Sequence, residues 1–583
     1  MNQTHLRHGS IEPLESRIAP ATLVNPTTVT FDDIDGDHVT VTVSKGDLTG
    51  KLTFVTAFND PGHQQLLTIN LATPQFSGAN LTLSVQTNGG DGIANFGVLN
   101  AKGVDLGNVS LAGSVNKILA GDGKATTPGL GNLTLGSLGG SANLGAPDFI
   151  SVINGPVGDI NMGNVNQAYF SVTGGPMGTI KSIHASNLLG GTAPFSGSIS
   201  TTGNMGSVTV GSINGASGDN SGQILVGGNL DNFLDYNALA GGSGKASGAI
   251  IVKGGASVIS IGYFAGGSGP GSGSVSVMGA ANEIDTNTVT GGAGLQSGRI
   301  FVHGNMGAVS TAAINGGSGD FSGSIVGGAA ISSIHVNSNS LEGGIGLESG
   351  RIRAAGLIGS VIIDGTLKGG GGDYSGSIRS DKGLPSISIG SVLSGFGAGS
   401  GSIVTNGNIG TVNISGNVTG SIGAPVVISA LGKLKLPAGA TTNITIDTVT
   451  IGGDVSFLNL LAGYDVTGKA LNADAQINSI SIAKTVTGSN FVAGIAAGKD
   501  GLFGTADDVA IAGGSASIIS KIASLVITKQ TVNTVDPSDA FGVVAQEVSS
   551  ASVNGVALTL MPGPSNDKGI ALGAANDFEL REI

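Results

Sequence analysis

Apolar residues recur along the middle of this chain with a period of 25 to 27 residues. A β-branched apolar residue stands three positions after the serine of each of nine Ser-Gly pairs, a second apolar residue follows nine positions later, and a third falls eight positions before the next pair. A fixed repeat of this length predicts a solenoid. The three sets are Ile199, Ile224, Ile250, Val275, Ile300, Ile325, Ile352, Ile378 and Ile403; Val208, Phe233, Ile259, Ile284, Val309, Ile334, Val361, Ile387 and Val412; and Ile213, Leu239, Phe264, Val289, Ile314, Leu341, Leu367 and Val392.

Alternation at period two within the coils favours strands over helices, as at Ile250 and Val252 or at Ile259 and Ile261. Only the spacing between the second and third sites varies, from five to seven positions. Two fixed spacings and one variable corner predict a coil of three short strands joined by turns. The predicted fold is therefore all-β, a right-handed three-sided parallel β-helix (solenoid), in which nine registered coils rise about 43 Å.

The composition assigns the glycines to the corners. The chain has 104 glycines in 583 residues without the three-residue period of collagen, and its hydrophobic fraction of 40% is too high for general disorder. Runs such as Gly241-Gly242-Ser243-Gly244 are expected at tight turns, which need positive φ angles. Gly-Asn steps such as Gly107-Asn108 and Gly203-Asn204 are assigned to corners as well, because asparagine tolerates the left-handed region.

Charge and cysteine content narrow the classes of partner. The chain has no cysteine, so disulfides and thiolate metal sites are excluded. A net charge of −13 disfavours nucleic acid and anionic membranes, and no apolar run approaches the ~18 residues of a membrane helix. We therefore expect no nucleic-acid partner and no membrane insertion.

The first 22 residues differ from the rest and are predicted to be an N-terminal sorting-type segment. The stretch Ile11-Glu12-Pro13-Leu14-Glu15-Ser16-Arg17 resembles the Leu-Glu-Pro-Arg-x-Leu-Leu type motif of large exported repeat proteins in Planctomycetes and Verrucomicrobia, with Ser16 in place of proline and Ala19-Pro20 in place of the leucines. From Thr30 to Asp37 onward the resemblance extends to exported β-strand-repeat surface proteins. It implies export and display outside the bacterial cell, and no particular chemistry.

Changes in the pattern suggest further boundaries. A strand-rich cap is predicted to cover an open end of the solenoid, whose unpaired edge would otherwise template aggregation. The C-terminal extension is predicted to begin with one short helix at Asp536-Pro537. The predicted regions are a cap at 23–92, a parallel β-helix at 93–423 with regular coils from 190, an irregular continuation at 424–532 and a C-terminal extension or cap at 533–583.

An apolar strip is predicted on the outer face of the first strand of the coils. Residues next to an inward-facing one must point outward. Leu225, Ile251, Phe301 and Val326 stand at such positions, and exposed apolar patches are typical of interaction sites. The alternative is that the segment at 23–90 or the C-terminal extension folds back over this face.

Three arginines on neighbouring coils define the candidate site of an enzyme. Arg351, Arg353 and Arg379 have Glu342, Glu348, Asp364 and Asp373 in the same or the next coil, and polysaccharide lyases and hydrolases with this fold need carboxylates beside a cationic group. Arg353 and Arg379 are expected to stack on adjacent coils about 4.8 Å apart, with the four carboxylates placed to neutralise the arginines. A solvated stripe of charges accounts for the same residues. The absence of tryptophan and the presence of only five tyrosines also leave few platforms for stacking sugar rings.

Calcium is the one cofactor for which there are candidate ligands. Asp500, Asp507 and Asp508 lie in a glycine-punctuated loop, and carboxylates suit calcium. Asp33, Asp35 and Asp37 have the spacing of a calcium loop, but His38 stands where that loop needs glycine, which favours a hairpin turn. An exposed acidic turn remains the alternative for the first set.

Together these features predict a secreted or cell-surface structural or adhesive repeat protein without catalytic activity. Its partners are expected to be cell-surface or matrix polymers, or further copies of the chain. A carbohydrate-active enzyme of the pectin-lyase-like β-helix class is the alternative function.

Overall fold

The computed structural model describes residues 21–583 apart from 58–59, 125, 141–143, 145, 147, 537–538 and 574. Strands hold 51% of the residues and helices 1%, and parallel coils stack into a β-solenoid, which confirms the predicted fold class. The chain divides into two compact units, 1–185 and 186–583. The sorting-type motif and the predicted helix start at Asp536-Pro537 both include positions outside the described residues.

The first unit begins with hairpins and continues with parallel coils. Two 3-10 turns lie at Pro74–Phe76 and Gly175–Met177. Its strands are β1 (Thr22–Asn25), β2 (Thr28–Asp32), β3 (His38–Val43), β4 (Leu52–Ala57), β5 (Asp60–Asn70), β6 (Ala79–Gln86), β7 (Phe96–Asn100), β8 (Leu106–Leu111), β9 (Val115–Ala120), β10 (Leu133–Leu135), β11 (Leu138–Gly139), β12 (Ile150–Asn154), β13 (Val157–Asn166), β14 (Tyr169–Thr173) and β15 (Ile180–Leu189).

The hairpin strands of the predicted cap belong to the same sheets as the coils that follow them. Strands β1, β2, β3 and β6 pair antiparallel in that order, and β6 then pairs parallel with β8. Likewise β4 pairs antiparallel with β5, which pairs parallel with β7. Hydrogen bonding therefore continues from 23–92 into the next coils without a break.

The second unit contains the regular repeats. Its strands are β16 (Ser198–Thr201), β17 (Met205–Asn214), β18 (Gln223–Val226), β19 (Leu230–Ala240), β20 (Ala249–Val252), β21 (Ala256–Ala265), β22 (Ser274–Val277), β23 (Ala281–Thr290), β24 (Ile300–Val302), β25 (Met306–Asn315), β26 (Ile325–Gly327), β27 (Ile331–Val336), β28 (Leu341–Glu342), β29 (Ile352–Ala354), β30 (Ile358–Lys368), β31 (Ile378–Ser380), β32 (Gly383–Leu393), β33 (Ile403–Thr405), β34 (Asn408–Ile414), β35 (Val418–Thr419), β36 (Val426–Ala430), β37 (Ile444–Ile451), β38 (Val455–Ser456), β39 (Leu458–Ala462), β40 (Gln476–Ile482), β41 (Val486–Thr487), β42 (Asn490–Ala493), β43 (Ile495–Ala496), β44 (Val509–Ala510), β45 (Lys521–Ile527), β46 (Thr531–Val532), β47 (Phe541–Ala545), β48 (Glu547–Val548), β49 (Ala551–Val553), β50 (Val556–Ala557), β51 (Lys568–Ala571) and β52 (Phe578–Glu582).

The predicted register of the coils is confirmed. Ile300 pairs with Val275 on one side and with Ile325 on the other, and all three are fully buried. Every residue of the three predicted apolar sets is at most 2% exposed. The core of the second unit is therefore a stack of apolar residues, one of each set per coil.

The corner between the second and third sites differs from the predicted turn, because in most coils no turn interrupts the strand there. Most strands of the second sheet run through both sites, and the extra residue of a longer coil forms a bulge, as where Val210 and Ser212 face Asp235 and Ala238. The longest coil breaks here into β27 and β28, and the coil of Ser400 breaks into β34 and β35. Bulges absorb one residue and bend a strand, which explains why length varies here alone.

The serine of each Ser-Gly pair closes the corner before the first strand. In all nine coils its buried hydroxyl accepts a hydrogen bond of 2.7 to 3.1 Å from the backbone N–H five residues earlier. Ser272, for example, accepts from Gly267 and donates to the carbonyl of Gly269 at 2.7 Å. Buried polar groups need such partners, so the serine is a structural element of the corner.

Two left-handed residues flank each of these serines. Around Ser272 they are Gly271, with a φ of 63°, and Gly273, with a φ of 55°. A Cβ on Gly273 would lie 2.0 Å from the carbonyl oxygen of Ala265, whereas one on Gly271 would meet nothing within 4 Å. Only the position after the serine therefore lacks room for a side chain. The position before the serine accepts one, and other coils have Phe321 or Glu348 there.

The Gly-Asn steps have a different role from the predicted one. Asn108, Asn132 and Asn204 are not among the residues with positive φ. Their side-chain oxygens instead accept backbone N–H groups of the next coil, as Asn132 does from Asp159 at 2.9 Å and Asn204 from Asn229 at 2.8 Å. Gly203-Asn204 lies at the corner between β16 and β17, as predicted, but the asparagine links neighbouring coils and does not adopt the left-handed conformation.

The C-terminal segment continues the first sheet and then closes it. β52 pairs parallel with β47, and β51 pairs antiparallel with β52. Glu582 is fully buried, and its carboxylate accepts N–H groups of Val548 and Asn566, both at 2.9 Å. In the described part of the chain, no helix is long and apolar enough to cross a bilayer.

Candidate functional site

The first strands of successive coils, such as β18, β20, β22, β24 and β26, pair to form what we call the first sheet. The residues of the predicted apolar strip lie in one row on its outer face. Leu225 pairs with Ile251, and Phe301 pairs with Val326, but Ser276 separates the two pairs. Leu225, Ile251 and Phe301 are half-buried. Val326 is only 7% exposed, so its place in an exposed strip is corrected. The strip is two short apolar patches rather than a continuous surface.

The same row continues into the arginines. Val326 pairs with Arg353, which pairs with Arg379 on the next coil, as the predicted stacking requires. Asp381 lies between them: its carboxylate oxygens are 3.6 Å from Nη2 of Arg353 and 3.4 Å from Nε of Arg379. Sequence reasoning missed Asp381, which stands in the bend after β31.

Two more arginines, Arg299 and Arg351, stand directly before the inward-facing Ile300 and Ile352 and form a second row beside the first. The Arg299 guanidinium lies 4.5 Å from the ring centroid of Phe301, and that of Arg351 lies 5.1 Å from the ring centroid of Phe321. Arg351 also contacts Glu348. Such cation–π contacts stabilise a guanidinium beside an aromatic ring. Phe321 and Glu348 reach this row because both occupy the left-handed position before a repeat serine.

Burial and like charges act on the two arginines of this row. Burial and the charge of Arg353 lower the pKa of Arg299. Burial, followed by Arg353, Arg299 and Arg379, lowers the pKa of Arg351, which is 6% exposed. A guanidinium stays charged at neutral pH. The face therefore concentrates positive charge on a chain whose net charge is −13.

Three of the four predicted acidic partners lie elsewhere. Asp364 is 3.2 Å from Nε2 of His335, Glu342 is 3.5 Å from Lys368, and Asp373 accepts the backbone N–H of Ala398. Only Glu348 joins the arginines. The expectation that all four carboxylates would neutralise the arginines is therefore wrong, because strand direction and register send the other three to separate corners and sheets.

The hairpin predicted at Asp33, Asp35 and Asp37 is confirmed, because β2 and β3 pair antiparallel on either side of it. Ligand atoms of these three carboxylates lie within 4.8 Å of one another. Burial and the neighbouring Asp35 raise the pKa of Asp33 to about 7. Asp37 is buried and accepts the N–H groups of Asn88 and Gly90, which lower its pKa and anchor that loop.

The second acidic loop joins β43 to β44, and its carboxylates bind the loop itself. Asp507 accepts the N–H of Lys499 at 2.6 Å and the hydroxyl of Thr505 at 2.7 Å, and Asp508 accepts the N–H of Gly504 at 2.8 Å. Among the residues that the structure describes, the set at 33–37 alone brings three such ligands together. For Asp500, Asp507 and Asp508, a calcium site and an acidic turn that binds no ion remain the two alternatives.

An ionisable core residue escaped the sequence analysis. Asp235 is 1% exposed and occupies the strand position that Val210 and Ile261 fill in the neighbouring coils. One carboxylate oxygen accepts the N–H of Asn237 at 3.0 Å and the other has no partner. Burial raises the pKa of Asp235 to about 7. Its place in a longer coil, with an extra residue at the bulge, was the available signal.

Comparison with known proteins returned no match to any protein-family model, to any curated protein or to any solved structure. Any function of this chain therefore has to be inferred from its own geometry.

Proposed function

We propose that this chain is an exported bacterial surface or matrix protein with a structural or adhesive role and no catalytic activity. The observation that carries the proposal is the unbroken stack of corners and apolar sites from Ser196 to Ser400. Eight coil-to-coil steps of about 4.8 Å give this part a span of about 38 Å. Backbone hydrogen bonds join each coil to the next within the stack, which suits a durable spacer.

The expected partners are cell-surface or matrix polymers, or further copies of the chain. The half-buried patch around Phe301 and the arginines beside it supply apolar and charged contacts on one face. The motif-like stretch Ile11–Arg17 supports export to the cell surface or the medium. The absence of cysteine suits a protein that folds without oxidation.

A polysaccharide screen separates this role from that of a carbohydrate-active enzyme. The purified chain is incubated with acidic and neutral polysaccharides, and new reducing ends and the unsaturated product of lyase cleavage are followed. We expect neither product. Turnover that is lost in Arg353→Ala and Arg379→Ala variants would overturn the proposal and establish the enzyme.

A binding assay tests the adhesive role directly. Wild-type chain is compared with Phe301→Ser in binding to cells of a producing bacterium and in self-association measured by light scattering. We expect one of the two activities in the wild type and a loss in the variant. Neither activity in the wild type contradicts the adhesive role.

A further inference from the structure

Four arginines share the outer face of the first sheet within a few coils. Arg353 and Arg379 are strand partners on adjacent coils, about 4.8 Å apart along the stack. Arg299 and Arg351 lie two coils apart in the parallel row. The coil of Ser324 lies between them, and its strand β26 pairs with the strands that follow both arginines. The guanidinium groups therefore follow the stacking direction.

Carboxylates compensate for only half of this charge. Glu348 contacts Arg351, and Asp381 serves both Arg353 and Arg379. Four cations and two anions leave two positive charges. Among the described groups, the charge that acts on the pKa of Arg299 is that of Arg353, which repels it. The Nε atoms of Arg299 and Arg351 are buried without a hydrogen-bond acceptor. Unpaired buried donors and stacked like charges both cost stability, and an external anion relieves the repulsion between the charges.

The arrangement of the side chains suits a polymer with repeated anionic groups. Phe301 and Phe321 hold Arg299 and Arg351 in place, so less freedom is lost on binding. Arg353 and Arg379 keep about a third of their side chains exposed, 34% and 29%. Guanidinium groups bind carboxylates and sulfates through paired hydrogen bonds, and successive groups on one chain add their affinities by effective concentration.

From this charge and spacing we propose that the arginine face, defined as Arg299, Arg351, Arg353 and Arg379, binds a linear acidic polysaccharide that carries carboxylate or sulfate groups. The proposal names the polymer chemistry of the adhesive role and depends on that role. The whole chain carries a net charge of −13, which disfavours nucleic acid as the polyanion.

The test compares two variants that remove the same charge from different places. Arg353→Gln/Arg379→Gln removes two cations from the face, and Lys124→Gln/Lys181→Gln removes two exposed cations from the first unit. Binding of the full chain to polygalacturonate, heparin and neutral dextran is measured by affinity electrophoresis, and melting curves check the fold. We expect the arginine variant to lose about tenfold or more in affinity for one of the two acidic polymers, with the lysine variant unchanged and dextran unbound.

Polygalacturonate and heparin distinguish carboxylate from sulfate recognition. Equal losses in the two variants, or no binding of either acidic polymer, would overturn the proposal. Tighter binding of single-stranded DNA than of both polysaccharides would overturn it as well. If the polysaccharides do not bind while Phe301→Ser still abolishes cell binding, the adhesive role stands and the arginine face does not.

Discussion

The hydroxyl of Ser272 accepts the backbone N–H of Gly267 at 3.1 Å and donates to the carbonyl of Gly269 at 2.7 Å. The serine is fully buried, so no water replaces these bonds when the hydroxyl is removed. This one corner of each repeat therefore depends on a single oxygen atom.

Replacing that serine tests the role of the hydroxyl. We expect Ser272→Ala to lower the free energy of unfolding by roughly 1–3 kcal/mol, because the N–H of Gly267 stays buried without an acceptor. Ser268 lies exposed in the same corner, and Ser268→Ala is the matched control. Denaturant unfolding followed by circular dichroism measures both. Equal stability of the two variants contradicts the structural role.

Substitutions of the two glycines on either side of Ser272 distinguish the cost of a strained backbone from the cost of a steric clash. Both have positive φ, but a Cβ clashes with Ala265 only at Gly273. Gly271→Ala is expected to cost about 1–2 kcal/mol from the left-handed conformation alone, and Gly273→Ala to cost clearly more. Melting temperatures of the pair test this order, and the reverse order is incompatible with the corner described.

Charge in the core tests the register. Ile300→Asp places a carboxylate between Val275 and Ile325, where no partner exists, and we expect a loss of several kcal/mol. Met278→Asp, at a site that is 48% exposed, is the control. If Ile300→Asp has the same melting temperature as the control, the register that places Ile300 in the core is wrong.

Asp235 predicts a dependence of stability on pH. Its pKa is raised from the ordinary 3.8 to about 7, so the folded state favours the protonated form. The resulting stabilisation is complete below pH 3.8 and is lost as the pH rises through about 7. Relative to Asp235→Asn, the wild type should therefore lose on the order of a few kcal/mol across this range. Thermal unfolding at several pH values checks the difference.

The control for Asp235→Asn is Asp285→Asn, at an exposed aspartate two coils further on. We expect its difference from the wild type to stay constant over the same range. A constant difference for Asp235→Asn as well would mean that its carboxyl is not desolvated in solution.

The loop that holds Asp500, Asp507 and Asp508 gives a prediction about metal. Its carboxylates already accept N–H groups of the loop, and burial raises the pKa of Asp508 to about 6, which disfavours the charged ligand. We therefore expect the same melting temperature in calcium and in chelator. A higher melting temperature in calcium that Asp507→Asn abolishes would instead establish the calcium site.

The core and the register were predictable because an inward position accepts only apolar residues. Ile300 and its partners repeat at a fixed spacing, and a fixed spacing in sequence becomes a fixed neighbour in space. Asp235 breaks that rule without breaking the fold, since the bulge beside it supplies an N–H donor that no local pattern reveals.

The site was less predictable because its contacts cross coils. Arg353 and Arg379 were placed correctly from the register alone, but Asp381 lies in a bend whose direction the apolar period does not determine. Val326 is buried although its strand position points outward. Strand alternation predicts which way a side chain points, and it does not predict what covers it.

The serine corner has a consequence for how such a chain changes in evolution. Each corner bonds within itself and to the coil on either side, as Gly273 does to the carbonyl of Ser247. Deleting or duplicating a segment from one repeat serine to the next, such as 272–296, therefore joins two ends that already have matching neighbours. Recombination within the gene can alter the reach of the array in steps of one coil while leaving every remaining contact type in place.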